Sequence, residues 1–419
     1  MTKAIAAPRH IAALSGVPAP VRRNVLLLAG GLAALYGMVE LASAVATLTF
    51  VSAGGSRRFA GLAPAVFLAS AALAALPAGR SMDRFGRAPI LRVGFGVGFG
   101  GSLMAALGAF SSSLPVVVLG FVMVGASTGT VMLSRAAAAD MYGPDRRAQG
   151  IALVLFGAVF GAVLGPAVFV PLVAAGALKD SSSLGPAWIG AAGFMVVGLG
   201  LMMRVRPDPQ QIARELAPEP QEAASPGASI RELVSQPGIR SALVGAVASW
   251  AVMVALMTLA GSALVAHGHD RVAIFPALSA HFVGMFALFP LVGSVIERVG
   301  RARALMAGLI LLAASALSLV GALDSVALTS VAMFAIGLGW SFAYVAATTA
   351  LTESTSAAGR GKLLGLSDLL SGLAGAGLTV AAGAALDSDG IAVVGVTGAL
   401  VAGVTALFLF IARARLQPA

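Results

Sequence analysis

The chain has no cysteine in its 419 residues. That excludes disulfide bonds and thiolate metal sites, and it leaves the redox compartment open. Histidine is almost as scarce, with four, and Asp, Glu, Lys and Arg together supply only 11% of the residues. A reaction centre needs a nucleophile with an orienting partner or paired acid–base groups. His281 has neither, and no phosphate-cradling loop follows a strand. The expectation is a protein that is not an enzyme and holds no cofactor. Aromatic residues are few as well, with three Trp and three Tyr.

What the chain has in excess is apolar surface: 58% hydrophobic residues, 52 Gly and a mean hydropathy of +0.95. Twelve apolar runs, at about 24–50, 59–79, 90–110, 115–139, 149–174, 186–204, 239–266, 273–295, 304–322, 326–350, 362–386 and 390–412, have the length that crosses a bilayer as helix. They predict an all-α membrane protein with twelve transmembrane helices, so a lipid bilayer is one partner. The net charge of +10 raises nucleic acid as another, but clustered basic faces are missing. With the N-terminus inside, all but four of the 27 Lys and Arg fall on the cytoplasmic side; the exceptions are Arg57, Arg58, Lys179 and Arg271. That positive-inside bias sets the orientation. Residues 1–20 make no clean signal peptide, because Pro18 and Pro20 break the apolar stretch before Arg22 and Arg23. Both termini are expected in the cytoplasm.

The chain divides into a first set of six spans (1–204), a polar segment (205–238) and a second set of six (239–419). The polar segment carries Pro207, Pro209, Pro218 and Pro220 and cannot bury enough apolar surface for a core, so it reads as a linker, with a short helix at Ile230–Val234. The two sets repeat each other. Gly79-Arg-Ser-Met-Asp83-Arg84-Phe-Gly86-Arg87 follows the second span, and Gly293-Ser-Val-Ile-Glu297-Arg298-Val-Gly300-Arg301 follows the eighth. Asp140 with Asp145, Arg146 and Arg147 ends the fourth span, and Glu353 with Arg360 and Lys362 ends the tenth at nearly the same offset.

Six-span repeats with this Gly-x-x-x-Asp-Arg-x-Gly-Arg loop resemble the major facilitator superfamily over nearly the whole chain. The resemblance implies two six-helix bundles rocking about a midplane substrate site. Glu297 replaces Asp in the second copy, and Ala88-Pro89 stands where the family often continues with basic residues. The loop residues Gly79, Asp83, Arg84, Gly86 and Arg87, with Arg135, are expected to latch the outward-facing state. Asp83 would cap a neighbouring helix N-terminus or pair with Arg135.

Ionisable groups within the spans are few: Glu40, Arg135, His281 and Asp368. Each is costly in lipid and so marks a functional position. Glu40 is a candidate for proton coupling or for a structural hydrogen bond; Arg135 and Asp368 are expected to join Asp83 in an ion-pair network. Gly157, Gly161 and Gly165 with Pro166 make a small-residue face ending in a kink. It partly resembles a motif of family antiporters, but packing explains it equally.

The hairpin Trp250–Pro290 carries Met253 and Met257 on one arm and His281 and Met285 on the other, each pair four residues apart. Reflected about His269, Met257 falls opposite His281 and Met253 opposite Met285. Three thioethers and an imidazole suit Cu(I). With four His and 15 Met in the chain, a His-x-x-x-Met pair is scarcer by chance than a Met-x-x-x-Met pair. Packing explains an intramembrane Met but leaves the His unexplained. His267 and His269 lie at the outer turn, as a solvated turn or a metal-collecting mouth.

These two motifs, with Ser279-Ala-His281-Phe-Val-Gly-Met285, resemble the CcoA-like copper importers, bacterial members of the superfamily. The resemblance implies copper as substrate, contacted by Met253, Met257, His281 and Met285, in a bacterial inner membrane. Riboflavin importers belong to the same group. A planar organic solute is the alternative, carried by Tyr36, Glu40, Trp250, Trp340 and Tyr344, whose aromatic faces suit flat ligands. A proton-driven drug exporter rests only on the glycine face.

Overall fold

The computed structural model describes residues 17–56, 62–174, 184–216, 229–269, 274–389 and 391–416. Arg57, Arg58, Lys179 and Arg271, expected on the outer face, lie outside the described residues, as do His10, Asp270 and linker residues 217–228.

The first bundle contains α1 (Ala19–Ser52), α2 (Leu62–Phe85), α3 (Arg87–Phe110), α4 (Leu114–Val131) continued by the short α5 (Ser134–Asp140), α6 (Arg147–Ala174) and α7 (Gly185–Met203). Two short helices follow, α8 (Pro209–Leu216) and α9 (Ile230–Ser235). The second bundle contains α10 (Pro237–Ala266), α11 (Ile274–Phe282), α12 (Phe289–Val299), α13 (Arg301–Ala322), α14 (Val326–Glu353), α15 (Arg360–Asp389) and α16 (Ile391–Leu416). Among the described residues eleven helices are long and apolar enough to span a membrane, and Pro276–Ala287 with Phe289–Val299, bent by 49° at their junction, brings the number to twelve. Among the described residues there is no strand. Large apolar side chains such as Val163, Val331, Val380 and Phe410 point outward, as a lipid-facing surface requires.

Proline starts several of these helices where its missing N–H costs nothing, including α1, α4, α7 and α10. Gly86 and Gly300 turn the chain into α3 and α13 at φ +98° and +88°, a conformation open chiefly to glycine. They are the equivalent glycines of the two loop copies.

Two expectations change. The first part of the linker is docked rather than loose: Gln210, Ile212 and Ala213 are buried. Asp208 accepts from the backbone N–H groups of Arg87 and Ala88 at 3.2 and 2.8 Å, which caps α3. A polar segment thus earns its place through a helix cap, which apolar composition alone does not register. Helix α9 does form, closed by a Ser229–Glu232 capping box.

The second change concerns the eighth span. Val283–Ala287 is a π turn, so the span is not one regular helix. Pro290 has no N–H to offer the Phe286 carbonyl, and the turn before it widens. Ser341 of α14 brings its hydroxyl within reach of the Gly284 carbonyl at 3.2 Å and of the Met285 carbonyl. Met285 lies inside this widened turn and His281 just before it, and both pack against Gly337 of α14.

The glycines of α6 pack onto α1: a side chain at Gly157 or Gly161 would meet the carbonyls of Ala29 or Ala33, and one at Gly165 the Glu40 side chain. The helix continues past Pro166 to Ala174.

Candidate functional site

The two bundles are joined at the end that carries the signature loops. Asp83 accepts from the Gly361 and Lys362 backbone N–H groups at 2.9 and 2.7 Å, capping α15 of the other bundle. Its repeat equivalent, Glu297, accepts from Ala148 N–H at 2.6 Å and so caps α6. A carboxylate at a helix N-terminus meets both the orphan N–H groups and the positive end of the dipole. Gly79 is required here, because a Cβ would strike the Gly361 backbone.

Around each cap lies a charge cluster. Arg87 bonds Asp83 and Asp140, each at 2.7 Å, and also donates to the Ala357 carbonyl. Arg360 bonds the other oxygen of Asp140 at 2.6 Å, across the bundles. In the second copy Arg301 bonds Glu297 at 2.8 Å and Glu353 at 2.6 Å, and reaches the Pro144 carbonyl at 2.6 Å. Even the secondary contacts repeat: Arg147 donates to the Ala139 carbonyl and Arg360 to the Thr352 carbonyl. The two copies differ in burial. The Arg87 and Asp140 side chains are 0% exposed, whereas those of Arg301 and Glu353 are 21% and 25% exposed.

Further from this end, Arg135 of α5 pairs with Asp368 of α15 at 2.5 Å, a second link between bundles. Its other nitrogen donates to the Met132 carbonyl at 3.0 Å, and its guanidinium lies 5.1 Å from the Tyr344 ring centre. Asp83 is not part of this pair; it bonds Arg87 and the α15 N-terminus instead, because those N–H groups lie directly opposite it. Arg84 also stays out of the network, exposed and stacked over Phe85 at 5.1 Å.

Above the pair lies an aromatic cluster. Trp340 and Tyr344 stack at 4.7 Å, Trp250 meets Trp340 edge-on at 5.7 Å, and Phe286 and Phe289 pack on Trp340 at 6.2 and 6.1 Å. Tyr36 contacts Phe286 from the other bundle at 5.0 Å, and its hydroxyl lies 3.8 Å from the Met132 sulfur. A cavity of ≈ 100 Å³ opens between α2, α4, α10, α14 and α15, with Trp250, Tyr344, Met132, Asp368 and Ser371 on its wall. Glu40 sits half-buried on α1 one turn from Tyr36, and among the described residues no ion pair reaches it.

The methionine–histidine set lies to one side. Met253, His281 and Met285 are buried, at 1%, 0% and 5% exposure, and Met257 is half-buried. His281 Nδ1 lies 2.9 Å from the Met333 carbonyl of α14, and its Nε2 is buried without a hydrogen-bonding partner. The cavity wall includes none of the four. Among the described residues no group of three or more His, Asp or Glu could hold a metal ion. His267 bonds the Ala263 carbonyl at 2.9 Å, and His269 lies 2.7 Å from the Leu323 carbonyl. Both outer histidines are therefore engaged by backbone.

The model of the Major Facilitator Superfamily matches residues 26–377. The chain belongs to this superfamily. It is 31% identical over 349 residues, 82% of this chain and 81% of the relative, to the uncharacterized MFS-type transporter YdeG of Bacillus subtilis (strain 168). It is 30% identical over 303 residues, 71% of this chain and 73% of the relative, to the riboflavin transporter RfnT of Brucella anthropi. In fold it is similar to the transporter FucP in the outward conformation, with a TM-score of 0.73 at 16% identity over 93% of this chain and 98% of FucP. The proton:xylose symporter XylE superposes with a TM-score of 0.76 at 17% identity over 93% of this chain and 95% of XylE. The protein is thus a multi-pass membrane transporter of the superfamily, with its twelve spans in two bundles.

Sequence reasoning placed Asp83, Gly79, Gly86, Arg87 and Arg135 at the bundle interface, and Tyr36, Trp250, Trp340 and Tyr344 in one cluster. It missed Asp140, Glu353 and Arg360 as members of the latch, although the repeat already paired Asp140 with Glu353. It also missed Phe282, Phe286 and Phe289, whose helical spacing on the eighth span was the available signal.

Proposed function

We propose that this superfamily member is a secondary active importer of a planar organic solute, with riboflavin the first candidate, in a bacterial cytoplasmic membrane. The observation that carries the reading is the cavity walled by Trp250 and Tyr344 and backed by Trp340. Aromatic faces hold flat ligands by stacking, and a few polar groups orient them. The 30% identity to a riboflavin transporter supports the same substrate class. With the basic loops cytoplasmic, the sealed end is the inner gate, and the state is one loaded from outside. Glu40 is the group for proton coupling.

Copper import is the second reading, and one observation favours it: the buried, unpartnered Nε2 of His281 is free to ligate a metal. Against it, Met253, His281 and Met285 are buried away from the cavity wall. The drug-exporter reading loses its only support, since the α6 glycines are accounted for by α1.

The test is uptake of radiolabelled riboflavin and copper, side by side, in bacterial cells lacking their own importers. Riboflavin uptake is expected, and Trp250→Ala lowers it about tenfold at low solute concentration with membrane abundance unchanged, in keeping with about 1–3 kcal/mol for stacking on an aromatic side chain. Copper uptake that His281→Ala abolishes, without riboflavin uptake, overturns this reading in favour of the metal.

A further inference from the structure

The Arg135–Asp368 pair has spare hydrogen-bonding capacity beside the cavity. Asp368 uses one carboxylate oxygen, Oδ1, for Arg135 at 2.5 Å. Its other oxygen, Oδ2, is buried with no hydrogen-bonding partner, and Asp368 belongs to the cavity wall. Arg135 is 1% exposed, and its Nε is likewise buried without a partner. A buried carboxylate oxygen left unbonded is costly, so the site is built for an incoming donor. The other polar groups of the wall are few: the Ser371 and Thr128 hydroxyls, the Tyr344 hydroxyl and the Trp250 N–H.

We infer that Asp368 selects among planar solutes by accepting a hydrogen bond, at Oδ2, from a ring N–H of the lactam or imide kind. This rests on the planar-solute reading above. A carboxylate oxygen accepts, so it welcomes N–H and rejects a ring edge that presents only carbonyls or an alkylated nitrogen. Arg135 is the positioning residue: it holds Oδ1 and so fixes the carboxylate plane. The cavity's ≈ 100 Å³ accords with docking of an edge, since pockets for whole drug-sized ligands run to about 300–1,000 Å³. The ring faces then rest on Trp250 and Tyr344.

The experiment uses cells expressing the full chain and measures inhibition of radiolabelled riboflavin uptake by two competitors: unlabelled riboflavin, and riboflavin methylated at its imide nitrogen. For the wild type, the methylated compound is expected to compete at least tenfold more weakly, the scale of one hydrogen bond to a charged group. In Asp368→Ala the two compete within twofold of each other, whatever the residual rate. Arg135→Lys, which retains the charge, keeps part of the discrimination; a purely structural role would lower the rate without moving the ratio. Equal competition in the wild type overturns the inference and leaves riboflavin import standing. Absence of any riboflavin uptake overturns both.

Discussion

Asp140 ties the two bundles at the end that carries the signature loops, and replacing it with Asn has a calculable effect on the conformational equilibrium. Its two oxygens bind Arg87 at 2.7 Å and Arg360 at 2.6 Å, with the Asp140 side chain 0% exposed. Arg87 belongs to the same bundle as Asp140, so that bond survives when the bundles part. Arg360 belongs to the other, so only its bond distinguishes the sealed from the opened state. A hydrogen bond to a charged group contributes about 1.5–3 kcal/mol, and a difference of that size changes a two-state ratio by about 10- to 150-fold. Asp140→Asn removes the charge and most of that difference, so the opened fraction rises by about tenfold or more. The absence of native cysteine makes the assay clean. A single cysteine at Thr355, 2% exposed between α14 and α15, should react slowly with a maleimide applied from the loop side in the parent chain. In the Asp140→Asn background it should react about tenfold faster or more. A cysteine at Ala105, buried at 0% within the first bundle, separates opening from unfolding, because it stays unreactive if the bundle is intact. Equal rates at Thr355 with and without Asp140→Asn would refute the reasoning.

Gly79→Val places a side chain against the Gly361 backbone, which cannot yield as a flexible side chain would. The same Thr355 cysteine should become reactive in that variant, and a label rate unchanged from the parent sinks the close-approach argument. Glu353→Gln acts only indirectly, because the Arg301–Glu353 pair lies within the second bundle, is 21% and 25% exposed, and merely steadies the reach of Arg301 to the Pro144 carbonyl across the bundles. Exposed pairs contribute about 0–1 kcal/mol, so its label rate should rise by no more than about fivefold.

The twelve spans were legible because lipid demands long apolar runs, and the latch was legible because its loop is repeated. Less was legible wherever one apolar surface faces another. A helix such as α6 is apolar on its lipid side and on its packed side, so periodicity could not tell that Gly157 and Gly161 turn toward α1. The docked linker was hidden for a related reason, since Asp208 acts on backbone N–H groups that any residue at that position in α3 would carry. The π turn in the eighth span was hidden as well, since it depends on Pro290 and on the Ser341 hydroxyl from another helix. Arg360 could not be joined to Asp140 without knowing that α15 starts beside α5. The aromatic cluster was half-read: Trp340 and Tyr344 share a face by spacing, but Phe286 enters only because the eighth span bends toward them.

The order of layers gives the transport cycle a physical logic. From the loop end inward come the two helix caps with their charge clusters, then Arg135–Asp368, then the cavity. The caps with their charge clusters and the Arg135–Asp368 pair each include a bond from one bundle to the other, so opening this end must break them together. The outer layer is uneven: Arg301 and Glu353 are already partly solvated, whereas Arg87, Asp140 and Arg360 are buried. Arg135 is buried too, at 1% exposure, and stripping Asp368 from it leaves a charge in an apolar setting, which costs about 3–5 kcal/mol when a buried pair is broken. In the proposed binding mode a solute held at the Asp368 carboxylate, with its ring on Tyr344 beside the guanidinium, lies at the buried cross-bundle layer that borders the cavity. Contacts it makes to the parted charges lower that cost and make none of the outer layers harder to open. Since a ligand shifts a conformational equilibrium only through differential affinity for the two states, this is the layer where binding can drive the change. On the proposed reading, the charge clusters limit how often the empty carrier opens at this end, and the Arg135–Asp368 pair is where a solute can promote that opening.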